Sequence, residues 1–173
     1  MLLDEVIQTD YGQLDLTWSY DGGFDGDWDR YFAGQTNGLV GAADLHGIYL
    51  NLARRSGGSP VRVVLLDAAP GDPGGEWEDV VEVSTVVPEG ADARWCSWGG
   101  EGSGDLDGLT PGEYRVRVCA RGRDAGHDDE FADGPVDWYL VELWPASVTD
   151  DTILRTGSAD AAYWHREVGG RRR

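Results

Sequence analysis

Four aspartates crowd a short segment near the start of the chain: Asp21, Asp25, Asp27 and Asp29. Alternate carboxylates of this kind can converge on a hard cation such as Ca²⁺. A calcium-binding EF-hand loop, however, needs glycine at its sixth position and glutamate at its twelfth, and counting from Asp25 these positions hold Arg30 and Thr36. The spacing therefore predicts an acidic turn and no metal site.

A second acidic cluster surrounds a histidine: Asp124, His127, Asp128, Asp129, Glu130 and Asp133. A histidine beside carboxylates can ligate a metal or transfer protons, but a lone histidine in an acidic loop is more often simply solvated. The sequence has no nucleophile elbow, no zinc-protease motif, no P-loop and no dinucleotide-binding fingerprint. A pair of carboxylates, as used in glycoside hydrolysis, is no evidence for that activity here. Among 32 acidic residues some pair lies at a suitable separation by chance. We predict a non-catalytic protein without a cofactor.

The net charge is −18, from 32 acidic and 14 basic residues. Phosphate binding needs clustered basic side chains, so this charge argues against nucleic-acid and anionic-membrane partners. The acids concentrate in the ranges 1–29, 67–92 and 124–137, which we expect to be connections between strands. A strong negative field speeds encounters with a basic protein, although acidic residues also serve simply to keep a protein soluble. The predicted partner-binding residues are Asp124, Asp128, Asp129, Glu130, Asp133, Asp25, Asp27 and Asp29.

We expect strands to position these acidic residues, because apolar and polar side chains alternate in several segments of the chain. The period of two predicts seven strands, at 14–18, 48–53, 61–66, 77–87, 94–98, 113–120 and 138–144. The glycine- and proline-rich range 67–75 is predicted to be a loop, as is the acidic range 121–137. The last predicted strand is apolar on both faces, so we expect other parts of the chain to pack against each face.

One helix is predicted near the end of the chain. Ser158 is a suitable N-cap, Asp160 favours the helix N-terminus, and Ala161, Trp164 and Val168 fall on one face. We expect this helix to cover the last strand. A length of 173 residues fits a single domain. The prediction is an all-β chain: one antiparallel β-sandwich of seven to eight strands with a short C-terminal helix at 1–168, then an arginine-rich tail at 169–173.

Three further features bear on location and ligands. The start of the chain lacks the basic and apolar regions of a secretory signal, and no apolar run reaches the roughly 20 residues of a membrane span, so we expect a cytoplasmic protein. Cys96 and Cys119 are expected to be reduced thiols. Eight tryptophans would suit a sugar-binding sandwich, although five of them fall in strand or helix patterns: Trp18, Trp77, Trp138, Trp144 and Trp164.

Three segments resemble one known family. They are Gly41-Ala-Ala-Asp44 with Gly47-Ile48, Pro111-Gly-Glu-Tyr114 leading through Cys119, and Asp137-Trp-Tyr-Leu-Val141. Their spacing is similar to that of the competence protein J family, small acidic β-sandwich inhibitors of a DNA-entry nuclease. Val141-Glu-Leu-Trp-Pro-Ala146 and Ala161-Ala-Tyr-Trp-His165 also resemble acidic actinobacterial proteins. The resemblance carries over no functional residue.

The resemblance and the charge lead to the same functional expectation. They imply a non-catalytic inhibitor or immunity-type protein that binds and blocks a basic partner, a nuclease or a nuclease toxin. The alternative is a ligand-binding β-sandwich module for a carbohydrate or small molecule.

Overall fold

The computed structural model of the chain describes residues 1–19 and 22–171, and in them eleven strands form two sheets. The six-stranded sheet has the order β1 (Leu3–Asp10), β5 (Ser56–Leu65), β10 (Trp138–Pro145), β9 (Gly112–Arg121), β6 (Asp79–Val87) and β11 (Thr152–Arg155). The five-stranded sheet has the order β3 (Val40–Gly41), β4 (Gly47–Asn51), β2 (Gln13–Thr17), β7 (Arg94–Ser97) and β8 (Ser103–Asp105). The helices are α1 (Trp28–Tyr31), α2 (Arg123–Asp128) and α3 (Ala159–Glu167).

The predicted all-β class is confirmed, but the strand arrangement differs from the prediction. Strands β5 and β10 pair in parallel, with Val63 opposite Val141, so the six-stranded sheet is mixed rather than antiparallel. Parallel pairing needs a long connection, and the chain between these two strands contains β6 to β9 and α2. All seven predicted strands are present.

The strands that the prediction missed are short or have little apolar alternation. In β1 only Leu3 and Ile7 among the apolar residues are buried, while Asp4 and Glu5 are exposed. The expectation that the acids of 1–29 and 67–92 lie on connections was therefore partly wrong, because β1 and β2 carry several acids of the first range and β6 carries Asp79 and Glu82 of the second. Strands β3, β8 and β11 have two to four residues, which is too short for a period to be visible.

Both sheets contribute to one hydrophobic cluster. From the five-stranded sheet it receives Leu14, Leu16, Ile48 and Leu50, and from the six-stranded sheet it receives Val63, Val83, Val116, Val118 and Val141. Alternation explains this placement, since residues two apart on a strand point to the same face. The free thiols lie in different sheets, Cys96 on β7 and Cys119 on β9.

Helix α3 begins where the sequence predicts, because the Ser158 hydroxyl accepts a hydrogen bond from the Ala161 N–H at 3.0 Å. Ala161 of α3 belongs to the same hydrophobic cluster as Tyr139 and Val141 of β10, and whether α3 covers this strand stays a prediction. The tryptophans of β10 lie beside arginines, with Arg121 4.5 Å from the Trp138 ring and Arg117 5.7 Å from the Trp144 ring. Arginine stems and planar guanidinium groups cover aromatic surface well, so these two arginines supply part of the cover of Trp138 and Trp144.

The acidic range 121–137 was predicted to be a loop, but its first part is helix α2. The helix follows Gly122, whose φ is 73°, and a Cβ there would lie 2.3 Å from the Val136 carbonyl oxygen. Six residues are too few for helical periodicity to be recognised. After α3, Gly169–Arg171 form a 3₁₀ turn, and Arg172 and Arg173 of the predicted tail lie outside the described residues. Within the described part of the chain, no helix combines the length and apolar character needed to cross a membrane.

Candidate functional site: an acidic aromatic cleft

The two sheets and the helices border a cleft of about 1040 Å³. It is bordered by the segment before and within α1, by the ends of β2 and β4, by the turn Trp98–Gly100, and by α2 and α3. Its aromatic lining is Tyr11, Phe24, Trp28, Tyr49, Trp98, Tyr163 and Trp164, and its acidic lining is Asp25, Asp124, Asp128 and Asp160. Arg55 and His127 line it as well, so the cleft is aromatic and has more acidic than basic side chains.

Two stacked ring pairs join the borders of the cleft. The rings of Phe24 and Tyr49 stack with centroids 4.0 Å apart, which joins the segment before α1 to β4. The rings of Trp28 and Trp164 are 5.4 Å apart and 13° from parallel, which joins α1 to α3. Such ring pairs stabilise beyond the area that they bury, so these contacts fix the positions of α1 and α3 around the cleft.

Residues 24–30 form the first acidic wall of the cleft, and Arg30 pairs with its carboxylates. The Arg30 guanidinium lies 2.8 Å from Asp25 and 2.7 Å from buried Asp44. The Asp27 carboxylate accepts the Arg30 N–H at 3.0 Å and so caps α1. The backbone N–H of Asp27 and the Arg30 side chain lower the pKa of Asp25. One guanidinium therefore pairs with Asp25, with Asp44 and more loosely with Asp27, at 3.7 Å, so part of the charge of this wall is engaged locally.

The first acidic wall rests on a buried carboxylate. Asp15, on β2, is 1% exposed and accepts hydrogen bonds from the Gln13 amide at 2.6 Å and from the Phe24 N–H at 3.2 Å. Burial raises the pKa of Asp15 to about 6, although these two donors oppose the shift. Asp15 therefore connects the core to the first acidic wall through an ionisable group.

Residues 123–133 form the second acidic wall. The carboxylate of Asp124 accepts the N–H groups of Ala159 at 3.1 Å and Asp160 at 2.8 Å, at the start of α3. Asp128 is exposed and lines the cleft. A carboxylate at a helix N-terminus is stabilising. Asp124 therefore stabilises the start of α3, whereas Asp128 makes no such contact in the described part of the chain.

A buried arginine holds the end of the second acidic wall. Arg54 is 3% exposed, and its guanidinium donates to five carbonyl oxygens, those of Ser56, Gly58, Glu130, Ala132 and Gly134. Gly57 has a φ of 127°, and a Cβ there would lie 2.4 Å from the Arg54 Nε, so this position requires glycine. The acidic residues of this loop keep their carboxylates exposed or half-buried because Arg54 binds the backbone rather than the side chains.

A second buried arginine joins α2 to α3. The Arg123 guanidinium is 1% exposed and donates to Asp160 at 2.9 Å and to the Asn51 carbonyl oxygen at 2.8 Å. The other oxygen of Asp160 accepts the Trp164 indole N–H at 3.2 Å and lies 3.7 Å from the His127 Nδ1. A buried charge is tolerated when it is paired in this way, and the pair fixes the geometry of the cleft floor.

The structure places three of the predicted partner-binding residues on one surface, because Asp25, Asp124 and Asp128 all line the cleft. Asp27 and Asp29 lie at the start of α1. Glu130 borders an adjoining depression of about 340 Å³, together with exposed Phe131. Asp129 and Asp133 are exposed on the second acidic wall beyond the cleft lining. Whether these residues bind a partner stays a prediction.

Sequence reasoning missed the aromatic lining of the cleft. Five tryptophans fall in strand or helix patterns, but Trp28 lies outside any alternation between two aspartates, and Trp98 ends the predicted strand 94–98 directly before two glycines. That context is the signal that could have found them, since a large aromatic side chain in a polar, turn-forming segment is typical of a surface site.

The acidic segments contain many side chains of the types that ligate metal ions. Among the described residues, no group of three or more histidine, cysteine, aspartate or glutamate side chains could hold a metal ion. Asp21 lies outside those residues. Metal independence therefore stays a prediction.

Comparison with solved structures identifies the fold. ComJ from Bacillus subtilis, an inhibitor of the DNA-degrading activity of NucA, matches with a TM-score of 0.54 and 17% identity over 83% of this chain and 99% of that chain. The chain has the fold of ComJ. The protein of crocagin biosynthetic gene J matches with a TM-score of 0.52 and 18% identity, over 83% of this chain and 96% of that chain. No protein-family model and no curated protein sequence matches the chain. The resemblance to the competence protein J family is confirmed at the level of a distant relationship in fold.

Proposed function

We propose that this chain is a non-catalytic inhibitor or immunity-type protein, an acidic β-sandwich that binds and blocks a basic protein partner, and that the partner is a nuclease. The observation that carries the proposal is the meeting of two sequence-distant acidic segments at one aromatic cleft, through Asp25, Asp124 and Asp128. A convergent negative surface steers a basic protein and raises its association rate. Exposed aromatic side chains around that surface supply contact area.

The fold supports the same proposal. ComJ inhibits a nuclease, and the match spans 99% of its length. A shared fold does not by itself imply a shared function. The charge of −18 supplies an independent reason, because an active-site cleft that binds DNA phosphates is basic and an acidic surface is complementary to it.

The chemistry around the cleft fits a binding surface better than a catalytic centre. Asp25 and Asp160 are paired with arginines, and Asp124 caps a helix. The His127 Nδ1 lies 3.7 Å from the nearest Asp160 oxygen, which is beyond hydrogen-bond distance. These carboxylates hold the fold or present charge, and we assign no proton-transfer role to them.

The proposal is tested by isolating the partner and measuring its activity. The tagged protein is used to capture its partner from an extract of the source cells at low salt, and the purified partner is then assayed for DNA degradation with increasing amounts of this protein. We expect stoichiometric inhibition that weakens as salt rises. A captured partner that lacks nuclease activity, or that degrades DNA at an unchanged rate in the complex, would refute the proposal.

A ligand-binding module is the second candidate, favoured by the volume and aromatic lining of the cleft. Aromatic rings can pack against the face of a sugar, and carboxylates can accept hydrogen bonds from its hydroxyl groups. Titration with neutral oligosaccharides, followed by tryptophan fluorescence, separates the two functions. Saturable binding that is insensitive to salt supports the module, whereas the inhibitor proposal predicts no saturable binding of a neutral sugar.

A further inference from the structure

We propose that the cleft is the anchoring site for an arginine side chain of the basic partner, with Asp128 receiving the guanidinium and Trp98 packing against it. The inference rests on the proposed function for the source of the arginine. The site consists of the cleft, the lining carboxylate that the chain's described groups leave unpaired, and the exposed rings beside it.

Only part of the negative charge in the cleft is available to an incoming cation. Asp25 is paired with Arg30, Asp124 caps α3, and Asp160 is bound by Arg123. In the part of the chain that the structure describes, the Asp128 carboxylate has neither an ion pair nor a hydrogen bond. Asp128 is therefore the lining carboxylate that a partner's cation can reach without displacing an arginine of this chain.

Exposed rings flank the same cleft. Tyr11 is 60% exposed and Trp98 is 41% exposed, and their rings are 5.0 Å apart. Tryptophan gives the strongest cation–π interaction of the aromatic side chains. Large exposed rings at the mouth of a cleft are typical of binding anchors rather than of the core.

The chain's own arginines show that these rings accept guanidinium groups. Arg55 lies 5.7 Å from the Tyr11 ring and Arg166 lies 5.5 Å from the Tyr163 ring, both beside the cleft. Trp98 has a comparable place on the border, at both the cleft and the adjoining depression. An arginine from outside would repeat a contact that the chain already makes twice beside this cleft.

Arginine fits better than lysine or a neutral group. Its planar guanidinium can stack on a ring and donate to a carboxylate at the same time, whereas an ammonium group is a compact, strongly hydrated point charge. A volume of about 1040 Å³ exceeds one side chain, so the flanking residues of the partner enter the cleft as well. A partner segment with an exposed arginine satisfies both the charge and the size.

The test compares two small probes of nearly equal shape, Nα-acetyl-arginine amide and Nα-acetyl-citrulline amide, because citrulline lacks the charge. Binding is followed by two-dimensional amide NMR, which reports the Trp98 indole N–H and the Asp128 N–H. We expect the arginine probe to bind at least about fivefold more tightly and to shift both signals. Equal binding of the two probes, or shifts confined to other surfaces, would overturn the proposal.

Matched variants locate the site. Asp128→Asn should weaken binding of the arginine probe about fivefold and leave citrulline unaffected, while Asp129→Asn, at the neighbouring exposed residue, should leave both unchanged. Trp98→Leu should also weaken the arginine probe, whereas Trp77→Leu, beside Arg121 at 5.9 Å, should not. Equal effects of Asp128→Asn and Asp129→Asn would mean general electrostatic attraction and would refute an anchoring site.

The probe assay needs no nuclease, so the two proposals fail separately. Arginine binding in the cleft without inhibition of any nuclease refutes the proposed function alone. Inhibition that survives Asp128→Asn and Trp98→Leu unchanged, together with no preference for the arginine probe, refutes the anchoring site alone.

Discussion

The two acidic walls of the cleft are anchored by groups of opposite charge. The first acidic wall rests on the buried carboxylate of Asp15, and Arg30 pairs with its Asp25 and, at 3.7 Å, with its Asp27. The second acidic wall rests on the buried guanidinium of Arg54, which binds backbone carbonyl oxygens. In the first wall an arginine of the wall itself pairs with carboxylates, whereas in the second wall more of the carboxylates stay available to solvent.

This difference shows that the number of acids in a segment does not give the charge that a partner meets. Arginine placed among carboxylates neutralises them, and arginine placed among carbonyl oxygens shapes the loop without reducing the exposed charge. We therefore expect the second acidic wall to dominate partner association.

The largest effect is expected for Arg54→Met. The substitution removes five hydrogen bonds from one buried guanidinium, and we expect the free energy of unfolding to fall by about 4 kcal/mol. Urea denaturation measures the loss. Amide hydrogen exchange should accelerate first at residues 130–134, because their carbonyl oxygens lose the anchor.

Arg55→Met is the matched control, because the neighbouring arginine is exposed and contacts only the border of the cleft through Tyr11. Its effect on the free energy of unfolding should stay below about 1 kcal/mol. Similar losses for both variants would show that Arg54 is not the anchor of the second acidic wall.

The anchor of the first acidic wall should make stability depend on pH. Because the folded-state pKa of Asp15 is raised from 3.8 to about 6, the folded protein binds this proton more tightly than the unfolded chain does. The contribution of Asp15 to stability is therefore favourable at low pH, declines as pH rises from about 4 to 6, and stays lower above that.

Asp15→Asn tests this contribution by mimicking the protonated form. The difference in unfolding free energy between the variant and the original protein should move in favour of the variant by about 2 kcal/mol between pH 4 and pH 7. Denaturation at several pH values gives the difference. Asp4→Asn, at an exposed residue of β1, should give a difference that is nearly independent of pH. A flat Asp15→Asn difference would contradict the assignment.

The sequence predicted those parts of the molecule that local pattern controls. Period-two alternation located seven strands, and Ser158 with its following apolar residues located α3. The sequence also revealed the acidic segments, but it did not reveal which of their carboxylates are paired and which are exposed. Arg54 and Arg55 are adjacent and identical, yet one is buried among carbonyl oxygens and the other is exposed. Three of the five carbonyl oxygens that Arg54 binds belong to residues 130–134, which are distant in the chain and give no local pattern.

The cleft could not be predicted for the same physical reason. Its lining comes from segments around residues 24–28, 98, 124–128 and 159–164, which meet through ring stacking and the buried Arg123–Asp160 pair. Each of these contacts joins residues separated by long stretches of chain, and none leaves a local spacing that can be recognised. The charge alone could indicate the class of partner but not the surface.

An intermediate effect is expected from neutralising the second acidic wall. A variant with Asp128→Asn, Asp129→Asn, Glu130→Gln and Asp133→Asn should associate with the partner about tenfold more slowly at low salt and lose much of its salt dependence. The melting temperature should change little, because these side chains are exposed or half-buried. Stopped-flow association at several salt concentrations measures the effect.

The control removes the same number of charges from elsewhere, at Asp67, Asp72, Glu76 and Glu89, which are exposed away from the cleft. If the two quadruple variants slow association equally, the overall charge controls encounter and the walls have no special role. If neither variant changes the rate, the acids serve only solubility.

The smallest effect is expected for Arg30→Gln, which releases the carboxylates of the first acidic wall. Asp25 loses its ion pair, while Asp44 keeps the hydrogen bond from the His46 N–H at 2.8 Å and so retains one partner. We expect the association rate to rise two- to threefold, since the wall gains exposed negative charge. Arg55→Gln changes the net charge by the same amount without releasing a carboxylate of either wall. If local pairing decides which acids a partner meets, Arg30→Gln must exceed Arg55→Gln in the stopped-flow rate, and equal rates would remove the distinction between the two walls.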